Sequence, residues 1–240
     1  MSTVVISQPM LFPWPGFFEQ LMLADSYVDL DDVQFSKGSF TNRIQLRFPE
    51  GRRWLTVPLA GKGTFQTIAR LQAADGDWRA QHRRLVQASL HDAPYLADAL
   101  AIVDEVHRHE NLCDLLIASI DLPAAYLGIA PARRARSHQL GLGGQSWNRV
   151  RDIVLHLGGT RYLTGHGAIR YLDHAAFEAA GIAVDYIDYS CTPWPQGPGT
   201  FSPYVSILDL IARTGPAAKT YLRPRTLPWR AFAERAGAAA

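Results

Sequence analysis

The sequence predicts an α/β fold: a mostly parallel Rossmann-like sheet with an inserted β-hairpin and a helical block. Three observations predict it. The β-branched apolar run Val4-Val5-Ile6-Ser7 has the make-up of a buried strand. A helix pattern and a second strand pattern follow before Asp31, which makes a right-handed βαβ unit. The βα alternation returns after Ser146, so two βα halves of one sheet flank a middle of different character.

Gln8-Pro9 stops the first strand, and a proline-rich loop runs to Pro15-Gly16. Phe17 to Ala24 then forms a short apolar helix that leads into the strand Ser26-Tyr27-Val28-Asp29-Leu30. Residues 44–48 and 54–59 alternate around Pro49-Glu50-Gly51, a hairpin with one buried face. Trp78, His82, Leu85 and Ser89 share a helical stripe, and Ala93-Pro94 ends that helix. Helices over 95–108 and 112–127, the latter capped by Gly128, complete a helical insertion of about 78–128. The second half reads as a helix over 146–157, a strand over 161–164, a helix over 174–180 and a strand over 183–189. A Pro/Gly loop over 193–203 and a helix over 205–213 follow, then a polar, mobile tail over about 222–240. Gly141-Leu142-Gly143-Gly144 lacks the lysine and hydroxyl of a P-loop and reads as a flexible connection. The whole of 1–240 is expected to form one domain.

A chain of 240 residues with 48% hydrophobic and 19% charged residues can bury its own core. A net charge of +2 gives no electrostatic footing for nucleic acid, which is not expected as a partner. Cys113 and Cys191 form neither a disulfide framework nor a zinc motif, so a reducing compartment, the cytoplasm, is expected. Neither a signal-peptide pattern nor an apolar run of membrane length is present, so no membrane partner is expected.

In an open parallel sheet, ligands gather beyond the carboxyl ends of the strands, which directs attention to Gln8, Asp31, Asp32 and Gln34. Gln8 offers both a donor and an acceptor. Two adjacent carboxylates in one site repel, which raises one pKa or binds a cation or amine between them; a solvated turn is the alternative. The segment 31–43 is dense in hydrogen-bonding groups, among them Lys37, Asn42 and Arg43, and an arginine there can clamp a phosphate or carboxylate. Of eight histidines, His82 shares a helix face with Trp78 and is either catalytic or a satisfied core residue, while His166 lies between two strand-end glycines. Cys191 follows a strand and serves as a nucleophile only if a histidine pairs with it. His107 and His109 have no metal-binding spacing, so no metal is expected, and no cofactor is identified.

Taken in order, Gln8-Pro9, Phe12-Pro13, Gly16-Phe17-Phe18, Ala24-Asp25, Asp31-Asp32-Val33-Gln34-Phe35, Asn42-Arg43 and Leu55-Thr56-Val57-Pro58 resemble the signature of the WbqC-like family. The likeness continues through Trp78 with His82, Ala93-Pro94-Tyr95, Tyr126-Leu127-Gly128-Ile129 and Ser206-Ile207-Leu208-Asp209, nearly the whole chain. Matching positions imply Gln8, Asp31, Asp32, Gln34, Asn42, Arg43, Trp78 and His82 as family-motif residues. Gly165-His166-Gly167 replaces an Asn-Pro-type loop of the family pattern, and Cys191 lies outside the motifs. The resemblance implies transfer of glycine or another acyl group to a sugar, in surface-polysaccharide (O-antigen) or specialised-metabolite biosynthesis.

The first expectation is therefore an acyl- or aminoacyltransferase. Asp32 or His82 deprotonates a small-molecule acceptor, while Gln8, Asn42 and Arg43 hold the activated donor, which a carrier protein can supply. Two alternatives stand beside it: a nucleotide-dependent carboxylate-activating or nucleotidyl-transfer enzyme with phosphate at Gly16, and a non-catalytic sugar-nucleotide-binding protein. Gln8, Asp32, Asn42, Arg43 and His82 are expected to converge on one pocket.

Overall fold

The computed structural model describes residues 1–61 and 65–237. Strand β1 (Thr3–Ser7) passes through helix α1 (Pro15–Met22) to β2 (Ser26–Asp29), which pairs parallel with β1 from Val4–Ser26 to Ser7–Asp29. Pro15 opens α1, where the missing N–H costs no hydrogen bond and the fixed φ already suits a helix. The turn before it is buried and holds Phe12 at φ 40°, with the Phe12 N–H donated to Ser119 Oγ at 3.0 Å.

The hairpin forms as expected from β3 (Arg43–Phe48) and β4 (Gly51–Thr56), in a separate two-stranded antiparallel sheet. Helices α2 (Trp78–Ser89), α3 (Leu96–Val106) and α4 (Leu112–Tyr126) make up the helical block. The stripe of α2 is corrected in one place: Trp78, His82, Val86 and Ser89 are buried, whereas Leu85 is only partly so. Then come β5 (Arg133–Arg136), α5 (Ser146–His156), β6 (Arg161–Thr164), α6 (His174–Ala179), β7 (Ala183–Ile187) and α7 (Ile207–Thr214). Strand β5 has no counterpart in the sequence reading, because Arg-Arg-Ala-Arg carries no apolar pattern. The expected polar tail instead supplies β8 (Thr226–Pro228) and α8 (Trp229–Gly237), and residues 238–240 lie outside the described residues.

The sheet order is β5-β2-β1-β6-β7-β8, with only the β7–β8 pair antiparallel. Counted along the chain, its five parallel strands lie 3-2-1-4-5, the doubly wound order. Side chains alternate across a strand, and that alternation divides the core. Val5, Tyr27 and Leu163 face a large cluster built with α1, the helical block, the hairpin and α7. Val4, Ile6, Val28, Tyr162, Val184 and Tyr186 face a smaller one built with α5, α6 and α8. Arg47, on β3, is buried and donates to the carbonyls of Gln196 at 2.5 Å, Thr200 at 3.3 Å and Pro198, fastening the Pro/Gly loop to the hairpin.

Helix α8 covers the end of the sheet through Phe232, which is buried and stacks on Tyr186 with ring centroids 4.2 Å apart. Phe232→Ala is expected to lower unfolding free energy by about 3 kcal/mol in urea titrations. A loss below about 1 kcal/mol would show that α8 adds nothing to the core.

Candidate active site

The order of the parallel strands reverses between β1 and β6, and their pairing ends at Val5 with Leu163. Beyond that pair the two strands separate, and a cavity of about 470 Å³ lies at their carboxyl ends. Its floor comes from Ser7 and Gln8 at the end of β1 and from Thr164 to Gly167 at the end of β6; α1, the 39–41 loop and Tyr189 wall it in. Gln20 on α1 donates its Nε2 to the Leu163 carbonyl at 3.0 Å, tying the helix to the last paired residue of β6.

The lining is aromatic and neutral. Trp14, Phe17, Phe40, Tyr162, Tyr171 and Tyr189 supply rings, and no Asp, Glu, Lys or Arg is among the described residues that line the cavity. Burial raises the Tyr162 and Tyr171 pKa values, so both stay as neutral hydroxyls. The Tyr162 hydroxyl donates to Thr164 Oγ1 at 3.1 Å. His166 Nε2 lies 2.7 Å from the Ile187 carbonyl, which can only accept, so this nitrogen carries a proton. A Cβ on Gly16 would stand 2.6 Å from the Tyr189 ring, so packing, not phosphate, demands glycine there. Gly165 and Gly167 differ: neither has positive φ, a Cβ on either would meet nothing within 4 Å, and both line the cavity.

Of the residues expected from sequence, Gln8 and His166 line the cavity, whereas Asp31 and Asp32 do not, although Leu30 just before them does. Asp31 is fully buried: Oδ1 accepts from Ser137 Oγ at 3.1 Å and the His138 N–H at 3.3 Å, while Oδ2 meets His138 Nδ1 at 2.7 Å. Asp32 pairs with Arg149 and accepts from Ser137 Oγ at 2.5 Å. Burial pushes its pKa up, but the bonds from Arg149 and Ser137 outweigh that and hold it below the usual carboxylate value. A carboxylate so held is a poor base; the two aspartates share the Ser137 hydroxyl, and beyond it Asp31 is held by His138 and Asp32 by Arg149.

The other expected residues do different work. Asn42 is buried and donates to the Val57 carbonyl at 2.8 Å, and Arg43 donates to Gly38 O at 2.5 Å and lies over the Trp54 ring. Gln34 and Lys37 are exposed on the connecting segment, Gln34 in an isolated bridge with Thr67. His82 does not line the cavity. Its Nε2 lies 2.9 Å from the Thr56 carbonyl, and its ring packs edge-on against Trp78, so it packs as a core histidine bonded through Nε2. Cys191 is half-buried at φ 36°, and burial raises its pKa, which favours the thiol over the thiolate. No group of three or more potential metal ligands occurs among the described residues. The sequence reading missed His138, because the strand that delivers it carries no apolar signal.

Behind the hairpin, Trp78, His82 and His107 form an aromatic cluster in which His82 Nδ1 and His107 Nε2 are buried without hydrogen-bond partners among the described residues. Burial lowers both pKa values; for His107, with help from the His82 and Arg79 charges, the value falls to about 4. Because the folded-state pKa is depressed, the contribution to stability is present above the unfolded value near 6.5 and is lost as pH falls towards about 4. Between pH 7 and 4.5 the native protein is expected to lose on the order of 2 kcal/mol more than His107→Phe in urea melts. Parallel pH curves for the two proteins would exclude this burial as the cause.

A model of the WbqC-like protein family matches residues 8–221. The chain is 32% identical over 228 residues to the uncharacterized protein Rv1507c of Mycobacterium tuberculosis, a match covering 93% of this chain and 98% of the relative. No solved structure matches the chain.

Proposed function

The chain belongs to the WbqC-like protein family, and from that premise we propose that it is an acyl- or aminoacyltransferase whose acceptor is a neutral, hydroxyl-bearing small molecule such as a sugar. The observation that carries the reading is the uncharged, ring-lined cavity at the β1/β6 switch point. Aromatic faces suit the apolar faces of a sugar ring, while Ser7, Gln8, Gln20 and Thr164 offer hydrogen bonds of both senses to its hydroxyls. A phosphate would meet no cation on that lining, and Gly16, the position available for phosphate, is filled by Tyr189 and Trp14. This weighs against the nucleotide-dependent alternative.

In this reading the acceptor hydroxyl or amine attacks the carbonyl carbon of an activated donor such as a thioester. The new C–O or C–N bond forms, the C–S bond breaks, and the acceptor's proton passes through a protein base to the departing thiolate. Attack at neutral pH needs a base of near-neutral pKa, which an imidazole supplies and the Arg149-bound Asp32 does not. Membership in the family agrees with a role in surface-polysaccharide or specialised-metabolite biosynthesis.

The test is mass spectrometry of candidate sugar acceptors incubated with the protein and acyl or aminoacyl thioesters. An acyl mass increment on the acceptor is expected, with Cys191→Ala retaining most of the rate. Tight sugar-nucleotide binding without turnover would favour the binding-protein alternative, and thermal protection by ATP would favour the nucleotide one.

The glycines supply a second check. Gly165→Val and Gly167→Ala place methyl groups in the cavity without straining the backbone, so unfolding free energy should change by less than about 0.5 kcal/mol. Acceptor KM should rise about tenfold. An unchanged KM would place the acceptor elsewhere.

A further inference from the structure

A second imidazole stands beside the cavity. Leu30, which precedes Asp31, and Val150, which follows Arg149, both line the cavity, so Asp31, which holds His138, and Arg149, which holds Asp32, are chain neighbours of its lining on the β2/β5 side without lining it themselves. Strand β5 pairs parallel with β2, ending at Asp29 with Arg136, and the chain turns at once into a 3₁₀ segment, Ser137–Gln139. That register delivers Ser137 and His138 to the carboxyl side of the sheet, directly against Asp31. The side chain of Asp31 is 0% exposed and that of His138 is 40% exposed. One nitrogen is held inward by a buried carboxylate, and no described residue hydrogen-bonds the other.

A carboxylate can only accept, so Nδ1 carries a proton, and in the neutral imidazole Nε2 is the nitrogen with the lone pair. An imidazole held in one tautomer by a buried aspartate is an oriented base, and the carboxylate stabilises the imidazolium that forms when a proton is taken up. The charged groups around it are already engaged: Asp32 with Arg149, and Arg136 with Asp114. His166 lacks such support, because its Nε2 is bound to a neutral carbonyl and its ring rests against Phe232.

We propose that His138, oriented by Asp31, is the general base of the acyl transfer, and that His166 binds and positions the acceptor. The reaction itself rests on the transferase reading, while the dyad rests on the fold. In the step, the acceptor hydroxyl gives its proton to His138 Nε2 as its oxygen bonds to the acyl carbon. The imidazolium then returns that proton to the departing thiolate, so His138 ends as it began.

His138→Asn separates this role from a structural one, because its carboxamide still donates to Asp31 but has no basic nitrogen. With a thioester donor and a sugar acceptor, kcat should fall roughly 10²–10⁴-fold, with acceptor KM within about threefold and the melting temperature unchanged. A His138→Asn rate within about threefold of the native protein overturns the assignment, as does a full loss confined to His166→Gln. Nitrogen-15 NMR of the imidazoles gives a readout independent of turnover. The His138 proton should sit on Nδ1 in the native protein and move to Nε2 in Asp31→Asn, whose amide must donate because its oxygen stays bonded to Ser137 and the His138 N–H. If the native protein transfers no acyl group, the transferase reading fails by itself. The dyad is then decided by NMR: a proton on Nε2 in the native protein overturns it, and the Asp31-dependent Nδ1 proton supports it.

Discussion

The separation of β1 from β6 beyond Val5 and Leu163 is the constraint on which the site depends. Two parallel strands whose crossovers leave in opposite directions cannot both be covered at their carboxyl ends, so the doubly wound order opens a crevice there. Gln20 ties α1 to the Leu163 carbonyl at one side of this opening, and the buried Phe12 turn, held by Ser119, directs the chain from Gln8 into α1. The cavity is thus a consequence of topology, which local side chains then line.

A second constraint is electrostatic. Strand β2 ends in carboxylates that the fold buries, and burial pushes the Asp29 pKa up to about 6 despite Arg134 beside it. The unpatterned Arg-Arg-Ala-Arg of β5 makes sense as the counterpart of these charges: Arg134 bonds Asp29 at 3.1 Å and also pairs with Asp121, and Arg136 pairs with Asp114. Edge position tolerates such a strand, since long arginine stems can lie along apolar surface while their heads find carboxylates. Positioned by those pairs, the residues just after β5 meet Asp31, and a buried carboxylate–imidazole pair results from what is otherwise a charge-neutralising edge.

Charge is therefore distributed unevenly across the carboxyl face. The β1/β6 cavity is lined by uncharged polar groups, rings and His166, while the carboxyl ends of β2 and β5 carry Asp31, Asp32, His138 and their partner Arg149. Such a division suits a reaction in which a neutral acceptor is held in one place and its proton is removed at the border of another. The two glycines flanking His166 fit the same division, because neither backbone conformation nor neighbouring atoms require them, yet they leave room where a ligand would lie.

Much of the fold was legible because hydrophobic periodicity is local: the Val4-Val5-Ile6 run, the alternation of Ile44, Leu46 and Phe48, and the spacing of Trp78, His82 and Ser89 each report a buried face without knowledge of the partner. The order of the family motifs was equally a property of sequence, and so was Gln8 as the residue that ends the first strand. Strand β5 and the β8–α8 segment were not legible, since their stability comes from partners far along the chain: Asp29 and Asp121 for the arginines, Tyr186 for Phe232. His82 could be placed on a helix face but not on one side of a pocket, because a shared stripe with Trp78 fits a core and a site alike. Sequence by itself determined the class of fold and pointed to the strand end at which the cavity lies. Only the tertiary structure decided that Asp31 meets His138 and Asp32 meets Arg149, because an ion pair or hydrogen bond between residues more than a hundred positions apart leaves no local periodicity to read.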